Sequence, residues 1–485
     1  MPLFTPGRRW QPFYSPFKKE AFGNRFLATI EQLVKGPLFG CRMCGNCMLQ
    51  ETAFICPMEC PKGERNGPCG GSTQICYVDQ TRPCIWYAIY ERSEKMGRSE
   101  KLLEVLPPLD WNKVGTETWG DVYRQAKQVG MRKVFKGLAT RDVALRARTW
   151  DSVFQPVRQP VWWAGDSEYH APKSAEPASE LERRLKAGEF VVTAEVAPPL
   201  SPNMTKLSST VESLRDYVTA VNFTDNASAM PRVSSWASSV AAMKKDVEPV
   251  MQITSRDHNR LSVQSDVLGA NTLGIRNILC LSGDSAREGA TPMARLDILD
   301  VDSIQILWIL RRMRDEGIYL DGREIKTPPK YFLGAAGSPM ASKPRFQAIR
   351  EHKKINAGAQ FLQTNVVYDT DALEIWLNEL AKRNILDKVH LLIGVMPIRS
   401  VKMANRLTEV PGIVLPASII KRMVAAGDGA EEEGVKIALE IIERIRANQV
   451  VHGIHLMTVG WESIFPRIVT EAGLKRIPTE QTVAA

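Results

Sequence analysis

The chain has no run of about 18 apolar residues, so no helix of it should span a bilayer. Its opening stretch, MPLFTPGRRWQPFYSP, lacks the apolar segment of a secretory signal. A cytoplasmic address is therefore expected, with no membrane partner. No G-x-G-x-x-G and no Walker-type loop follows an apolar run, which argues against a Rossmann dinucleotide site. The net charge of +9 is spread along the chain. A nucleic-acid binder would usually concentrate such an excess, so no nucleic-acid partner is expected. Cysteine is almost missing from the body of the chain, where Cys280 stands alone.

What is present is a dense cluster at one end. Eight of the nine cysteines fall between positions 41 and 84: Cys41, Cys44, Cys47, Cys56, Cys60, Cys69, Cys76 and Cys84. A disulfide knot needs an oxidising compartment, and a cytoplasmic address makes metal the better account. The Cys41-x2-Cys44-x2-Cys47 spacing puts three thiolates on one tight loop. Cys56 and Cys60 each precede a proline, Pro57 and Pro61. Thiolates at x2 spacing with a later Cys-Pro are similar to bacterial ferredoxin runs, without their x3 gap. Eight thiolates suffice for two [4Fe–4S] clusters, or for one cluster and one zinc. Iron–sulfur is the expectation and a purely structural zinc platform the alternative. Cys280 should be an ordinary buried thiol.

A chain of 485 residues with 44% hydrophobic content has room for two or three domains. Residues 1–110 form a Cys-rich head, whose tail from Cys84 to Val105 reads as an amphipathic helix. Residues 111–180 read as a connector without a long periodic run. It carries Trp111, Trp119, Trp150, Trp162 and Trp163, expected to pack it onto a domain, and ends in APKSAEPAS. The run from Arg124 to Arg148 holds eight basic residues: Arg124, Lys127, Arg132, Lys133, Lys136, Arg141, Arg146 and Arg148. It is either a solvated face or a docking surface for an acidic redox partner or anionic cofactor tail.

From residue 181 to 485, short apolar runs alternate with helical patterns. Strands are expected at Phe190–Val196, Ala220–Phe223, Val250–Thr254, Ile278–Leu281, Tyr331–Ala335, Phe361–Val366, His390–Val395 and Gly453–Val459. Helices are expected at Met204–Asp216, Arg260–Gly269, Pro344–Ala357, Thr370–Arg383 and Gly429–Ala447. Eight such units in about 300 residues predict an α/β fold, a (β/α)8 TIM barrel preceded by a small Cys-rich metal-binding domain. Barrel chemistry belongs at the C-terminal strand ends. The polar residues there are Glu195, Thr224, Asn226, Gln252, Thr254, Arg256, Asp257, Ser282, Asp284, Gln363, Asn365 and Thr458. Glu195 interrupts an apolar strand, where a carboxylate is costly unless used or paired. The competing reading is a buried structural carboxylate paired with a barrel arginine.

Several segments resemble the methylenetetrahydrofolate reductase family. Thr193-Ala194-Glu195-Val196-Ala197-Pro198-Pro199 resembles its first-strand signature. Gln252-Ile253-Thr254-Ser255-Arg256-Asp257-His258-Asn259 resembles its third-strand segment, and Leu281-Ser282-Gly283-Asp284 its Arg-Gly-Asp turn. Ala357-Gly358-Ala359, followed by Phe361-Leu362-Gln363-Thr364, resembles the approach to strand 6. Residues 25–110 resemble the small Cys-rich partner domain found with some of these reductases. The resemblance implies a flavin, FAD or FMN, in the barrel mouth. It also implies reduction of 5,10-methylenetetrahydrofolate to 5-methyltetrahydrofolate, a reaction that could run in reverse. Hydride would pass from flavin N5 to the one-carbon unit. Ring opening to an iminium needs a general acid beside the pterin, and Glu195 matches it by position. Asp284 matches a carboxylate close to flavin and folate that favours a cationic intermediate. Thr224, Thr254, Arg256, Gly283 and Lys354 match cofactor-binding positions, Lys354 near the flavin phosphates. Gln363 matches a pterin-binding residue. The alternative for Lys354 is a solvated helix lysine.

Three positions depart from the family pattern: Gln252 replaces a histidine, Ser282 replaces the arginine of Arg-Gly-Asp, and Ala335-Ala336-Gly337 stands where an aromatic often flanks the flavin. These bear on FAD against FMN and on whether NAD(P)H is the direct reductant. An iron–sulfur head would accept electrons from a redox protein, whereas a zinc head would leave the nicotinamide as donor. A homo-oligomer is expected. Two other functions compete. One is a folate- or corrinoid-linked methyltransferase, which would lack flavin colour. The other is a non-catalytic electron-transfer subunit, which would turn over no folate.

Overall fold

The structure, a computed structural model, describes residues 22–70, 74–158, 166–284, 299–410 and 412–474. The N-terminal stretch and Trp162 and Trp163 lie outside these residues, as does the side chain of Trp150. Eight parallel strands close into a barrel in sequential order: β1 (Val191–Val196), β2 (Ala220–Phe223), β3 (Pro249–Thr254), β4 (Asn277–Leu281), β5 (Phe332–Gly337), β6 (Phe361–Val366), β7 (His390–Val395) and β8 (Gly453–Leu456). β8 closes on β1, with Val191 opposite Gly453 and Ala194 opposite Leu456. The expected α/β barrel is what the chain forms, and each expected strand agrees to within a few residues.

The strands carry apolar side chains on both faces, as parallel strands covered by helices do. One set packs outward against the helices. The other fills the lower barrel with Val191, Ala220, Val250, Leu279, Phe332, Phe361 and Leu392. Phe332 and Phe361 stack there at 4.8 Å. The short helix Glu180–Lys186 plugs this end with Leu181 and Leu185, one turn apart on a single face. Ser179 caps that helix, with Glu180 and Glu182 in its first turn and Arg183, Arg184 and Lys186 in its last, the order the helix dipole favours. With the bottom filled, the open end is the C-terminal one.

The head is built on α1 (Phe22–Phe39), the cysteine loops and α2 (Ile85–Lys95). The expected helix to Val105 ends early. Gly97 takes a left-handed φ of 63°, and a 3-10 turn, Ser99–Leu103, follows. The head shares a core with the barrel: Trp86, Tyr87, Ile89, Tyr90 and Leu103 pack on Phe346 and Ile349 of the helix Pro344–Ala357. The Tyr90 and Phe346 rings lie 5.4 Å apart. Burying Phe346 there contributes on the order of 2 kcal/mol.

Residues 119–158 are more ordered than a connector without periodicity. They form three short helices, α3 (Trp119–Val129), α4 (Met131–Ala139) and α5 (Val143–Arg158), around Ala126, Val134 and Val153. The periods are short because Gly130 and the Thr140–Asp142 turn interrupt them, and the apolar contacts are few. Glu31 of α1 joins this unit to the head by accepting from the Thr118 and Trp119 N–H groups at 2.7 and 3.2 Å. No helix among the described residues is long and apolar enough to cross a membrane.

Head and barrel are stitched together by polar contacts. Asp302 caps the helix Ser303–Asp315 in a capping box with Gln305. Its second oxygen accepts from Arg65 N at 3.2 Å and Asn66 Nδ2 at 2.8 Å. Glu64 lies buried in the same seam. Burial, then the nearby Asp302 carboxylate, push its pKa from 4.5 up to about 7. The folded state thus holds a proton that the unfolded state releases. Stability carried by that proton is present below pH 4.5 and lost as pH rises through about 7. Glu64→Gln should flatten this decline between pH 4.5 and 7, as read from denaturant midpoints of mutant and wild type across that window. Parallel pH curves would remove Glu64 from this role.

Candidate active site

The upper barrel encloses a cavity of about 370 Å³, within the range of small-ligand sites. Glu195 on β1, Thr224 after β2, Gln252 and Thr254 on β3, Gly283 and Asp284 after β4, and Gln363 on β6 all line it. These positions were read from the sequence, and the fold brings them to one mouth. Glu195 is not buried as expected, since its side chain is 27% exposed to the cavity. Nor does it pair with an arginine. Gln252 Nε2 donates to Glu195 Oε2 at 3.1 Å, and His455 Nε2 stands 3.7 Å from the same oxygen. His455 is fully buried on β8, its Nδ1 2.9 Å from Thr193 Oγ1. Gln252, noted as a departure from the family pattern, is therefore the hydrogen-bond partner of the carboxylate.

The cofactor-type positions divide into two groups. Thr224 Oγ1 and Gln363 Oε1 are buried without a hydrogen-bond partner among the described residues. Such groups are costly to bury unless something bonds them. Thr254 is already engaged, with its N–H and hydroxyl donating to Asp225 Oδ2 at 2.8 and 2.9 Å. Arg256 grips Asp257 with two hydrogen bonds of 2.7 and 2.6 Å and donates to Asn226 O at 2.9 Å. It ties together the loops after β2 and β3. Burial works against the Asp257 carboxylate, but hydrogen bonds from Arg256 and Asn226 hold its pKa below the usual range. Asp284 is exposed, and its Oδ2 accepts from Ser228 N at 2.8 Å. Asn226, Ser228 and Ala229 all adopt left-handed backbone, with φ of 46°, 57° and 53°. Strain of this kind persists where surrounding contacts impose it, and Asp284 is one such contact.

Lys354 is not a solvated helix lysine. Only 2% exposed, it donates to Glu351 Oε2 at 2.7 Å and to Ala336 O. Burial, then the Arg350 charge, lower its pKa to about 8. Removing one partner of such a buried pair leaves the other uncompensated. Lys354→Met should destabilise the fold by about 3–5 kcal/mol, measured by denaturant unfolding, and a loss below about 1 kcal/mol would mean the pair is dispensable. One helical turn before it stands Arg350, which also lines the cavity, with Nε and Nη1 unpartnered among the described residues. Sequence reasoning missed both Arg350 and His455. Arg350's spacing from Lys354 put it on the same helix face, and an imidazole inside an apolar strand is the kind of signal that singled out Glu195.

The head closes one side of the cavity through Lys62, Cys69, Gly70 and Tyr77. All nine cysteines are free. The eight in the head separate in space: Cys41, Cys44, Cys47 and Cys56 line one small cavity, and Cys60, Cys69, Cys76 and Cys84 another. Burial, then neighbouring thiols, push the Cys41 and Cys84 pKa values up to about 12. As placed, no three Cys, His, Asp or Glu side chains among the described residues form a group that could hold a metal ion. The first loop is tight, because Gly45 turns at φ +66° and a Cβ there would lie 1.9 Å from Lys113 O. Lys35 reaches the first set, its Nζ 3.7 Å from Cys47 Sγ. Cys280 is the buried thiol expected, 1% exposed.

The fold and its site define a parallel (β/α)8-barrel protein with a polar ligand cavity at the C-terminal strand ends, partly walled by a Cys-rich head. The family model described as methylenetetrahydrofolate reductase matches residues 180–473, and the chain belongs to that family. A second model, described as methylene-tetrahydrofolate reductase C terminal, matches residues 21–112. A probable methylenetetrahydrofolate reductase (NADPH) of Caenorhabditis elegans is 23% identical over 252 residues, covering 50% of this chain and 35% of that protein. Methylenetetrahydrofolate reductase 2 of Schizosaccharomyces pombe is 23% identical over 310 residues, covering 61% and 47%. The chain thus spans less than half the length of these curated relatives. Among solved structures, an uncharacterized protein from Clostridium thermocellum that binds two copies of 5-methyl-5,6,7,8-tetrahydrofolic acid aligns with a TM-score of 0.43 and 14% identity, covering 61% of this chain and 97% of that one.

Proposed function

We propose that the chain is a flavin-dependent 5,10-methylenetetrahydrofolate reductase with a redox-active head. The observation that carries the reading is Glu195 standing in the open cavity, hydrogen-bonded by Gln252 and flanked by His455. A carboxyl placed there can hold a proton for the folate N10, whose bond to the one-carbon unit must break. Gln252 orients the carboxyl, and the buried His455 fixes its depth. Asp284 sets a negative charge at the rim, where a cationic one-carbon unit gains from it. Bound flavin, FAD or FMN, supplies the hydride. Thr224 Oγ1 and Gln363 Oε1 offer the unfilled hydrogen bonds that a flavin and a pterin ring need, and the free guanidinium edge of Arg350 suits a phosphate.

Iron–sulfur clusters in the head rest on the eight cysteines and their division between two small cavities, four thiolates being what each cubane takes. As placed, the thiols among the described residues form no metal-holding group, so loading would have to draw each set together; zinc is the alternative. The second set borders the catalytic cavity through Cys69. That placement favours electrons arriving from a redox protein over direct reduction by NAD(P)H. The test is anaerobic purification followed by an absorption spectrum and assay of 5-methyltetrahydrofolate oxidation with an artificial acceptor. Flavin bands and folate-dependent bleaching are expected. A colourless protein that transfers methyl groups would replace this reading with a methyltransferase.

A further inference from the structure

We propose that Lys62, carried by the head, is a positioning residue of the barrel's reaction centre, acting through the Gly283–Asp284 turn; this rests on the function proposed above. Lys62 is only 6% exposed. Its Nζ donates to Gly283 O at 2.7 Å, and its own carbonyl accepts from Leu299 N at 3.2 Å. One head residue therefore holds both the peptide that precedes Asp284 and the point where the chain re-enters the described barrel. The ammonium also lies 5.2 Å from the Tyr77 ring centroid, and Tyr77 lines the same cavity.

The turn has little freedom of its own to absorb a loss of this contact. Gly283 sits at φ +80°, and a Cβ there would come within 3.1 Å of Arg256 Cβ and 3.2 Å of Thr254 Cβ. Its far side is thus packed against β3 and the loop after it, while Lys62 holds its carbonyl. Asp284 in turn accepts from Ser228 N, so its carboxylate links the loops after β2 and β4. Were Lys62 only glue between two units, an apolar side chain would serve better, because a mostly buried ammonium is expensive to desolvate. Placed here, it fixes the orientation of a peptide beside a reacting carboxylate, where a displacement of about 1 Å can lower a rate about 100-fold.

The test uses the full-length, flavin-loaded protein and compares Lys62→Met, Lys62→Arg and Asp284→Asn, alone and combined. Lys62→Met should keep flavin content while lowering kcat about 10- to 100-fold and shifting the flavin midpoint potential. Lys62→Arg should restore most of both. Because Lys62 acts through Asp284, adding Lys62→Met to Asp284→Asn should cost little further. Fully additive losses overturn the inference, as does a flavin-loaded Lys62→Met enzyme with wild-type kcat, KM and potential. Should Lys62→Met fail to fold, Lys62→Gln carries the same cycle. A wild-type protein that binds no flavin and turns over no folate defeats the proposed function itself, which is a different outcome from an unaffected Lys62 variant.

Discussion

Glu195→Gln is expected to bind flavin and accept electrons at the wild-type rate while losing folate turnover by about 100- to 10,000-fold, the range a positioned general acid contributes. The substitution preserves size and can still accept from Gln252 Nε2, the contact now made at 3.1 Å. What it removes is the exchangeable carboxyl proton. The two half-reactions separate the roles. Flavin reduction by an artificial donor involves no pterin and should not change. Re-oxidation by methylenetetrahydrofolate requires the proton and should become rate-limiting. His455 gives a control, because its imidazole lies 3.7 Å from the carboxylate but is fully enclosed by the barrel. A proton delivered by His455 would leave Glu195→Gln active and make the histidine variant dead. Folate turnover in Glu195→Gln near the wild-type rate would therefore take the acid role away from Glu195.

The barrel was legible in the sequence because its strands are short apolar runs between helical periods, a pattern that depends on neighbours only a few residues away. Glu195 was legible for the same reason, as a charge where local pattern demands an apolar residue. What escaped depends on distant partners. Lys62 looked like one more lysine among prolines and cysteines, and its significance comes from Gly283, 221 residues away. Lys354 matched a phosphate-binding position by motif, yet its burial comes from the neighbouring Glu351 and the end of β5. The helices α3 to α5 escaped because their shared core is small and two breaks divide their periodicity. Sequence spacing also could not divide the eight cysteines. Their run is nearly continuous, and the boundary between Cys56 and Cys60 appears only when the chain turns at Pro57–Glu59 and sends each to a different cavity.

That division makes the second large prediction. The anaerobically purified protein should carry about eight irons per chain, as two Cys-ligated cubanes require. Cys44→Ala and Cys69→Ala should each remove about half of them, because Cys44 belongs to the first set and Cys69 to the second. The two losses should differ in consequence. Cys69 lines the barrel cavity alongside Glu195, so on the proposed function its replacement should slow flavin reduction by a one-electron donor while leaving hydride exchange between flavin and folate in place. Cys44 sits beside Lys35 and Met43, away from the barrel mouth, in a loop whose packing rests on Gly45; its loss should also lower the stability and solubility of the head. Cys280→Ser should leave iron content and electron entry to the flavin unchanged, since that thiol, although it lines the barrel cavity, is buried on β4 and belongs to neither cysteine set. Metal analysis decides the outcome directly. Zinc in place of iron would turn the head into a structural module, and the electrons would then have to come from a nicotinamide donor reaching the flavin through the barrel mouth.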